Sequence, residues 1–328
     1  MASKASVVIH PSQFPGQVRR DLLDSLLSRK INHKFHYDSI KQTLKWLALH
    51  EAYSPSRMDP DCSAIYDAGF EFVASRHKRG RVHLIGLGCG GGQKDARLLK
   101  LLQESVKEVS YTPADVSTAM VLVARQAALE IIPERNCFPL VCDLATAEDL
   151  DETIGQIAVS GSARIITFFG MLPNFEQTFV LSRLAGLVRR ADFLLLSANL
   201  APGKDYAAGV NRILPLYDNP LTRDWLTTFL IDIGIQKNDG KILFSIENDP
   251  SGTGLKRVTA YFRFVRKREI EVYSERFVFD SGDRIQLFFS YRHTVSLVRS
   301  LLAEHRLKVL QAWLTRSEEE CVFLAVRA

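Results

Sequence analysis

A short apolar segment that runs into a cluster of glycines constrains the fold of this 328-residue chain more than any other feature. The segment reads HLIGLGCGGGQKDARLL, from His83 to Leu99. Its first part is typical of a buried strand, and its last part is typical of a helix with Leu98 and Leu99 on one face. Glycine lets a backbone approach a ligand closely. A strand, a glycine-rich turn and a helix in this order therefore predict the first unit of an α/β sheet with a ligand site at the turn.

Further apolar segments extend this pattern along the chain. Their sequences are EVSYTPADV, FPLVCDL, ARIITFFG and ADFLLLSANL, and helical segments separate them. Strands that are apolar throughout and alternate with helices indicate a parallel sheet that is buried on both faces.

The pattern changes after residue 200. The segments KILFSIEND, LKRVTAYFRFVRKREIEVYSERFVFD and DRIQLFFSYRH alternate with period two, which predicts an antiparallel meander. The residues before the first strand are typical of helices. We therefore predict a doubly wound, Rossmann-like α/β sheet in residues 62–197 plus 291–328. A second, α+β domain is expected in residues 1–61 plus 198–290.

Composition narrows the class of protein. The five cysteines lack metal-type spacing, which favours reduced thiols, a cytoplasmic location and no metal. From the distribution of apolar residues we expect neither a signal peptide nor a membrane-spanning segment. The net charge of +5 includes the basic segments RHKRGR and FRFVRKRE, which indicate either a nucleic-acid surface or, as we favour, solvated edges. The expected partner is a small molecule, not nucleic acid or membrane, and the expected state is a monomer or homodimer.

The acidic residues at the ends of the next two strands help to identify the ligand. An NAD site requires an acid about 20 residues after the first glycine, whereas Asp115 follows Gly86 by 29 residues. A second acid, Asp143, ends the third strand. S-adenosylmethionine (SAM) needs one group for its ribose hydroxyls and one for its adenine, and these two residues suit those positions. Two alternatives remain open. Asp115 and Asp143 only cap the helices that follow them, and Lys94, which lies where the first helix should begin, is a solvated lysine in the first helical turn.

The motifs resemble those of the SAM-dependent histidine Nα-methyltransferases of ergothioneine biosynthesis and their wider family of amino-acid methyltransferases. The similarity extends from about Asn32 to the C-terminus. Its most specific part is YTPADVS, which resembles the family's Tyr-x-Pro-x-Asp-Val-Ser stretch. The other similar segments are KFHYDS, HEAYSPSR, GLGCGGGQK, CDL, FFGMLPNF and PLYDNPLTRDWL.

The resemblance implies a role for each matching residue. It implies SAM as the cofactor, S-adenosylhomocysteine (SAH) as the product, and an amino acid as the substrate. Asn174 and Tyr217 would hold the amine and carboxylate of the amino acid, and the N-terminal segment with the insertion would cover it. The implied cofactor-binding residues are Tyr37, Gly88, Gly90, Lys94, Asp115, Asp143, Leu144 and Gly170. The implied substrate-binding residues are Tyr53, Ser54, Ala260, Phe288 and Ser290.

The chain departs from the family pattern at the segment QLFFSYRH. The family has Glu-x-Ser there, and the acid recognises the imidazole of histidine. Here Ser290 remains, but Phe288 stands in the position of the acid, and a bulkier family residue is replaced by Ala260. An imidazole N–H facing phenylalanine would lack a partner, at a cost of about 1–3 kcal/mol. We therefore expect an aromatic or apolar amino acid, or a derivative, as the substrate. Histidine remains an alternative, as do core packing of Phe288 and a non-catalytic SAM-binding protein.

Overall fold

The computed structural model describes residues 6–54, 58–77, 80–157 and 161–328. The chain divides into two compact units. Unit 1 comprises Met1–Gln13, Pro55–Leu200 and Thr294–Ala328, and unit 2 comprises Phe14–Ser54 and Ala201–His293.

Strands and helices alternate through most of the chain. The strands are β1 (Val8–Ile9), β2 (Arg81–Leu87), β3 (Glu108–Asp115), β4 (Leu140–Val141), β5 (Ala163–Phe168), β6 (Phe193–Asn199), β7 (Gly240–Asn248), β8 (Lys256–Phe264), β9 (Arg268–Val272), β10 (Glu275–Phe279), β11 (Arg284–Arg292), β12 (Leu307–Leu314) and β13 (Glu320–Arg327). The α-helices are α1 (Pro15–Ser28), α2 (Ile40–Tyr53), α3 (Pro60–Arg76), α4 (Gln93–Ser105), α5 (Thr118–Leu129), α6 (Leu150–Ile157), α7 (Gln177–Leu187), α8 (Tyr206–Tyr217), α9 (Pro220–Asp232) and α10 (Val295–Glu304).

Unit 1 contains a sheet whose described strands lie in the order β1-β4-β3-β2-β5-β6-β13-β12. The strands from β1 to β6 pair in parallel, and β13 runs antiparallel to both β6 and β12. The predicted mixed α/β fold with a parallel central sheet is confirmed. In a dinucleotide-binding sheet of order 3-2-1-4-5-6 the sixth strand lies beside the fifth. Here β13 separates the corresponding strands, so the topology departs from the NAD-binding arrangement.

The N-terminal segment differs from the sequence expectation. It was expected in the second domain as mostly helical, but Val8 and Ile9 form a strand that pairs with Leu140 and Val141. Residues 1–13 accordingly belong to unit 1. The pairing covers β4, which has only two residues and would otherwise expose its backbone at the edge of the sheet.

The predicted meander of unit 2 forms two separate sheets. One has the order β11-β8-β7, and the other is the hairpin of β9 and β10. The hairpin turns through Tyr273 and Ser274, whose φ angles of 51° and 67° are typical of a tight two-residue turn. The basic segment beside it has a structural role, because Arg266 and Arg268 pair with the buried carboxylate of Asp239 at 2.6 and 3.4 Å. Lys78 and Arg79, in the other basic segment, lie outside the described residues.

Each unit has its own apolar core. In unit 1, α3 and α4 bury Tyr66, Phe70 and Leu98 against the sheet. In unit 2, α9 buries Trp225 and Phe229 among the aromatic side chains of β8 and β11. Within the described ranges no helix combines the length and apolar character that spanning a membrane requires.

A buried histidine in β2 makes the stability of unit 1 depend on pH. His83 lies between two hydroxyl groups, with Nδ1 2.7 Å from Ser110 Oγ and Nε2 3.0 Å from Thr112 Oγ1. Burial, aided by the charge of Arg164, lowers its pKa to about 4. The neutral imidazole is therefore favoured in the folded state, and its contribution to stability is complete above the unfolded pKa of about 6.5 and is lost as the pH falls toward 4.

We predict that lowering the pH from 7.5 to 5.0 decreases the free energy of unfolding through His83 by about 2 kcal/mol. Denaturant unfolding of the wild type and of His83→Gln at both pH values measures this contribution, since glutamine does not titrate. The variant should lose less stability than the wild type over this interval. Equal losses would show that His83 does not contribute.

Candidate functional site

The loops that follow four parallel strands of unit 1 meet at one edge of the sheet. The register pairs Leu87 with Ala114, Asp115 with Val141, and Gly86 with Thr167. The carboxyl ends of β2, β3, β4 and β5 are therefore level. This is the edge at which sheets of this type bind ligands.

The glycine loop between β2 and α4 has a backbone that other residues rarely adopt. Gly88, Gly90 and Gly92 have φ angles of 63°, 52° and 74°. A side chain on Gly88 would also meet the side chain of Met171 at 2.6 Å, and one on Gly92 would meet Ala124 at 2.7 Å. The loop therefore requires glycine both for its conformation and for its close contacts.

The carboxylate of Asp115 joins the glycine loop to the end of β3. Its Oδ2 accepts from the backbone N–H of Gly90 and its Oδ1 from that of Ser117, both at 3.0 Å. Burial raises the pKa of this carboxyl, and the two backbone bonds oppose that shift. Each carboxylate oxygen retains a further lone pair, so the group can also accept hydrogen bonds from a vicinal diol.

The helix-capping alternative for the two acids is wrong. Ser117, not Asp115, is the N-cap of α5, with its hydroxyl accepting from Met120 N at 3.4 Å. After Asp143 the next helix is α6, which begins at Leu150. Neither acid is therefore needed as a cap.

The loop after β4 is held by the N-terminal segment. The backbone N–H of Asp143 donates to Ser12 Oγ at 3.0 Å, and Asp143 Oδ1 accepts from Ala145 N at 2.9 Å. His10 lies 2.7 Å from Asp149, farther along the same connection. Leu144 is partly exposed beside the buried Asp143. No local pattern indicates Ser12, because its partner Asp143 lies 131 residues away along the chain.

A second buried acid lies beneath the glycine loop. Asp95, in the first turn of α4, is 3% exposed and accepts from the hydroxyls of Tyr111 and Thr167, both at 2.7 Å. Its carboxylate occupies the space where a side chain on Gly86 would lie. The first turn of α4 therefore supplies a carboxylate to the space beside Gly86.

Lys94 is not a solvated lysine. Its Nζ donates to the hydroxyl of Tyr66 at 3.1 Å and lies 4.3 Å from the centre of that ring. The Tyr66 hydroxyl donates to Glu320, which also accepts from Cys62 at 3.2 Å. Burial lowers the pKa of Lys94, while the charge of Glu320 opposes the shift. The ammonium is thus held at the start of α4 by residues that the motifs did not include.

The loop after β5 contains two of the predicted residues. Gly170 has a φ of 70° and donates from its backbone N–H to Ser197 Oγ at 2.9 Å. Asn174 ends a short 3-10 helix, and its Nδ2 donates to Gly170 O at 3.5 Å. The amide of Asn174 therefore belongs to the same edge of unit 1 as the glycine loop and Asp115.

Five side chains of unit 2 form a compact group. Ala260 in β8 pairs with Phe288 in β11, and both are buried. Tyr217, at the end of α8, donates from its hydroxyl to Ser290 Oγ at 2.8 Å, and its ring centre lies 6.0 Å from that of Phe288. Arg292 donates to the Tyr217 hydroxyl at 2.8 Å. Sequence analysis gave a role to each of these residues except Arg292, which lies in the segment QLFFSYRH.

The remaining predicted residues lie elsewhere in unit 2. The ring of Tyr37 packs against Trp46 and Trp225, with centre-to-centre distances of 5.9 and 5.5 Å. Tyr53 ends α2 and is 50% exposed, and Ser54 follows it. The rest of the HEAYSPSR motif, residues 55–57, lies outside the described residues.

The histidine pair in KFHYDS has a packing role. His36 Nε2 lies 2.7 Å from Leu287 O, and His33 packs against Phe288 and Phe289. Burial lowers the pKa of His33 to about 3 and that of His36 to about 4. The described part of the chain contains no group of three His, Cys, Asp or Glu side chains arranged to hold a metal ion.

Comparison with known proteins assigns the family. Residues 18–212 match the family model of histidine-specific, SAM-dependent methyltransferases. The chain is 23% identical over 237 residues to N-methyltransferase imqF of Aspergillus flavus, a match that covers 70% of this chain and 63% of that protein. The chain thus spans less than two thirds of the length of this curated relative.

Two solved structures have a similar arrangement. Magnesium protoporphyrin IX methyltransferase (ChlM) from Synechocystis PCC 6803, with bound SAH, matches with a TM-score of 0.47 at 14% identity, covering 90% of this chain and 98% of that one. The SAM-dependent methyltransferase SibL matches with a TM-score of 0.47 at 13% identity, covering 95% of this chain and 70% of that one. The family match covers more than half of the chain, and the chain therefore belongs to the family of histidine-specific, SAM-dependent methyltransferases.

Proposed function

We propose that this chain is a SAM-dependent N-methyltransferase that acts on the α-amino group of an amino acid or an amino-acid derivative. The proposed acceptor has an aromatic or apolar side chain instead of the imidazole of histidine. The proposed class of amino acid rests on the pairing of Phe288 with Ala260 in neighbouring strands. The family pattern has an acid and a bulkier residue at these two positions.

The chemistry at the edge of unit 1 supports SAM as the cofactor. SAM supplies an electrophilic methyl group on a sulfonium. We propose that Asp115 accepts hydrogen bonds from the ribose hydroxyls, because its oxygens have lone pairs beyond those used by Gly90 and Ser117. Gly88 and Gly90 are proposed to contact the methionine portion through their backbone. Asp143 and Leu144 are proposed to frame the adenine, with Lys94, Gly170 and Tyr37 as the other cofactor contacts.

We propose that the residues of this protein act by orienting the amino acid relative to SAM. The acceptor must present a neutral amine whose lone pair aligns with the S–CH₃ bond, and the amine nitrogen loses a proton when the N–C bond forms and the S–C bond breaks. Holding two reactants in line can supply much of the acceleration without a dedicated base. Asn174 and Tyr217 are proposed to position the carboxylate and amine of the amino acid, Asn174 by donating from its amide and Tyr217 by accepting from an amine N–H. Tyr53, Ser54 and Ser290 are proposed as further contacts of the amino acid.

A carboxylate swap tests whether Asp95 supports the cofactor loop. Gly86→Asp alone should weaken SAH binding, because the added side chain would displace the Asp95 carboxylate. Asp95→Ala should weaken it as well, since the Tyr111 and Thr167 hydroxyls then lose their acceptor. The double variant Gly86→Asp with Asp95→Ala returns a carboxylate to the same space and should recover at least half of the lost binding free energy.

Calorimetric titration of SAH measures these affinities, and thermal unfolding checks that each variant is folded. Gly186→Ala is the matched control, because a side chain at that position would meet open space. If the two losses simply add in the double variant, the carboxylates do not share a position and the account of Asp95 is wrong.

The proposed reaction is tested directly with isotopically labelled SAM and an amino-acid panel that contains phenylalanine, tyrosine, tryptophan, leucine and histidine. Mass detection should find N-methylated product, with kcat/KM for the best aromatic acceptor about tenfold above that for histidine. Asn174→Ala should raise KM for the amino acid and leave the Kd for SAM nearly unchanged.

Each outcome of the panel decides between functions. If histidine is the best acceptor, the family's own activity applies and the proposed side-chain class is wrong. No turnover of any amine, with SAM still bound, would favour a non-catalytic SAM-binding protein. If Asn174→Ala weakens SAM binding instead of raising KM, Asn174 is not an acceptor contact.

A further inference from the structure

Three polar side chains of unit 2 form a chain of hydrogen bonds on one face of β11. Arg292 donates to the hydroxyl oxygen of Tyr217 at 2.8 Å, and the Tyr217 hydroxyl lies 2.8 Å from Ser290 Oγ. Arg292 is 7% exposed and Ser290 is 2% exposed. The guanidinium also lies over the Tyr217 ring, 5.3 Å from its centre. Arg292 and Ser290 are therefore buried, whereas Tyr217, which joins them, is partly exposed.

The chemistry of these groups determines which group donates in each hydrogen bond. A guanidinium has only donors, so the Tyr217 oxygen accepts from Arg292. The one hydroxyl hydrogen of Tyr217 is then given to Ser290 Oγ. Ser290 accepts that bond and keeps its own hydrogen, and no acceptor for this hydrogen occurs among the described residues. A buried donor without a partner is unfavourable, so a ligand that supplies an acceptor would satisfy it.

On the side away from Arg292, the neighbours of Ser290 on the same face are apolar. Residues two apart on a strand point to the same side of a sheet, so Phe288 and Ser290 share a face. Ala260 lies opposite Phe288 in the neighbouring strand. This face thus presents an aromatic ring and a methyl group beside one hydroxyl hydrogen. In the resembling family an acid that accepts a hydrogen bond stands at the position of Phe288, so the polarity offered here is reversed.

We infer that Arg292 is a specificity-determining residue. Through Tyr217 it holds Ser290 as a hydrogen-bond donor. The amino acid that receives the methyl group accordingly has an aromatic side chain with an oxygen, such as an ether or a carbonyl oxygen, that accepts the hydrogen bond from Ser290. This inference rests on the proposed function, because it names the substrate class of the same acceptor site.

The test compares amino acids that differ only by an oxygen. O-methyltyrosine and 4-ethylphenylalanine have nearly the same shape, but only the first has a lone pair, and 3-methoxyphenylalanine and 3-ethylphenylalanine form a second such pair. For each pair the measured quantity is the ratio of kcat/KM for the oxygen compound to that for the ethyl compound. In the wild type this ratio should reach about ten for at least one pair.

Substitutions then show which residues produce this preference for the oxygen compound. Ser290→Ala should bring the ratio to about one, because the donor is gone. Arg292→Met should lower the ratio, because Tyr217 is no longer held as a donor, whereas Arg292→Lys retains a donor and should keep most of it. Arg284→Met, which removes an exposed arginine of the same strand, should leave it unchanged. Since both compounds are measured on one preparation, partial unfolding does not alter the ratio.

Failure of this inference is distinct from failure of the proposed function. Turnover of these amino acids with a wild-type ratio near one for both pairs would overturn the inference and leave N-methylation standing. A ratio that Arg292→Met does not change would remove Arg292 from the account. No turnover of any amino acid would overturn the proposed function itself.

Discussion

The hydrogen bond from the Gly90 backbone to the Asp115 carboxylate is the interaction on which the candidate site depends. It links the turn after the first strand of the parallel series to the end of its neighbour, over a distance of 3.0 Å. The glycines of this turn have φ angles in the left-handed region, and glycine has wide backbone freedom. The hydrogen bond to the buried carboxylate holds the turn in one conformation. The same carboxylate has lone pairs left for a ligand, so one group both shapes the loop and supplies a contact.

Much of the architecture could be predicted because its signals are local. The glycine loop, Asp115 and Asp143 follow successive apolar strands, and parallel strands bring their carboxyl ends to one edge. Ser117 is the N-cap of α5, which agrees with the preference for serine at that position. The apolar runs identified the buried strands for the same reason, since burial on both faces leaves no place for polar side chains.

The features that escaped prediction depend on contacts between distant residues. No local pattern distinguishes Asp95, and only the fold shows that its carboxylate fills the space beside Gly86. Lys94 gains its partners from α3 and β13, and no local pattern connects those elements. The short N-terminal strand was missed because two residues give no periodicity, and its pairing with β4 is set by the sheet edge. Arg292 lies in the segment QLFFSYRH, but no role was predicted for it because its partner Tyr217 comes from another element of unit 2.

The central claim is that the edge of unit 1 binds SAM through Asp115 and does not bind a dinucleotide. Calorimetric titration of the wild type and of Asp115→Asn with SAH and with NAD tests it most directly, since asparagine keeps the size of the side chain and loses the charge and one acceptor. The account predicts that SAH binds to the wild type, that NAD does not, and that the substitution raises the Kd for SAH about tenfold or more. Binding of NAD in place of SAH, or an unchanged Kd in the variant, would contradict it.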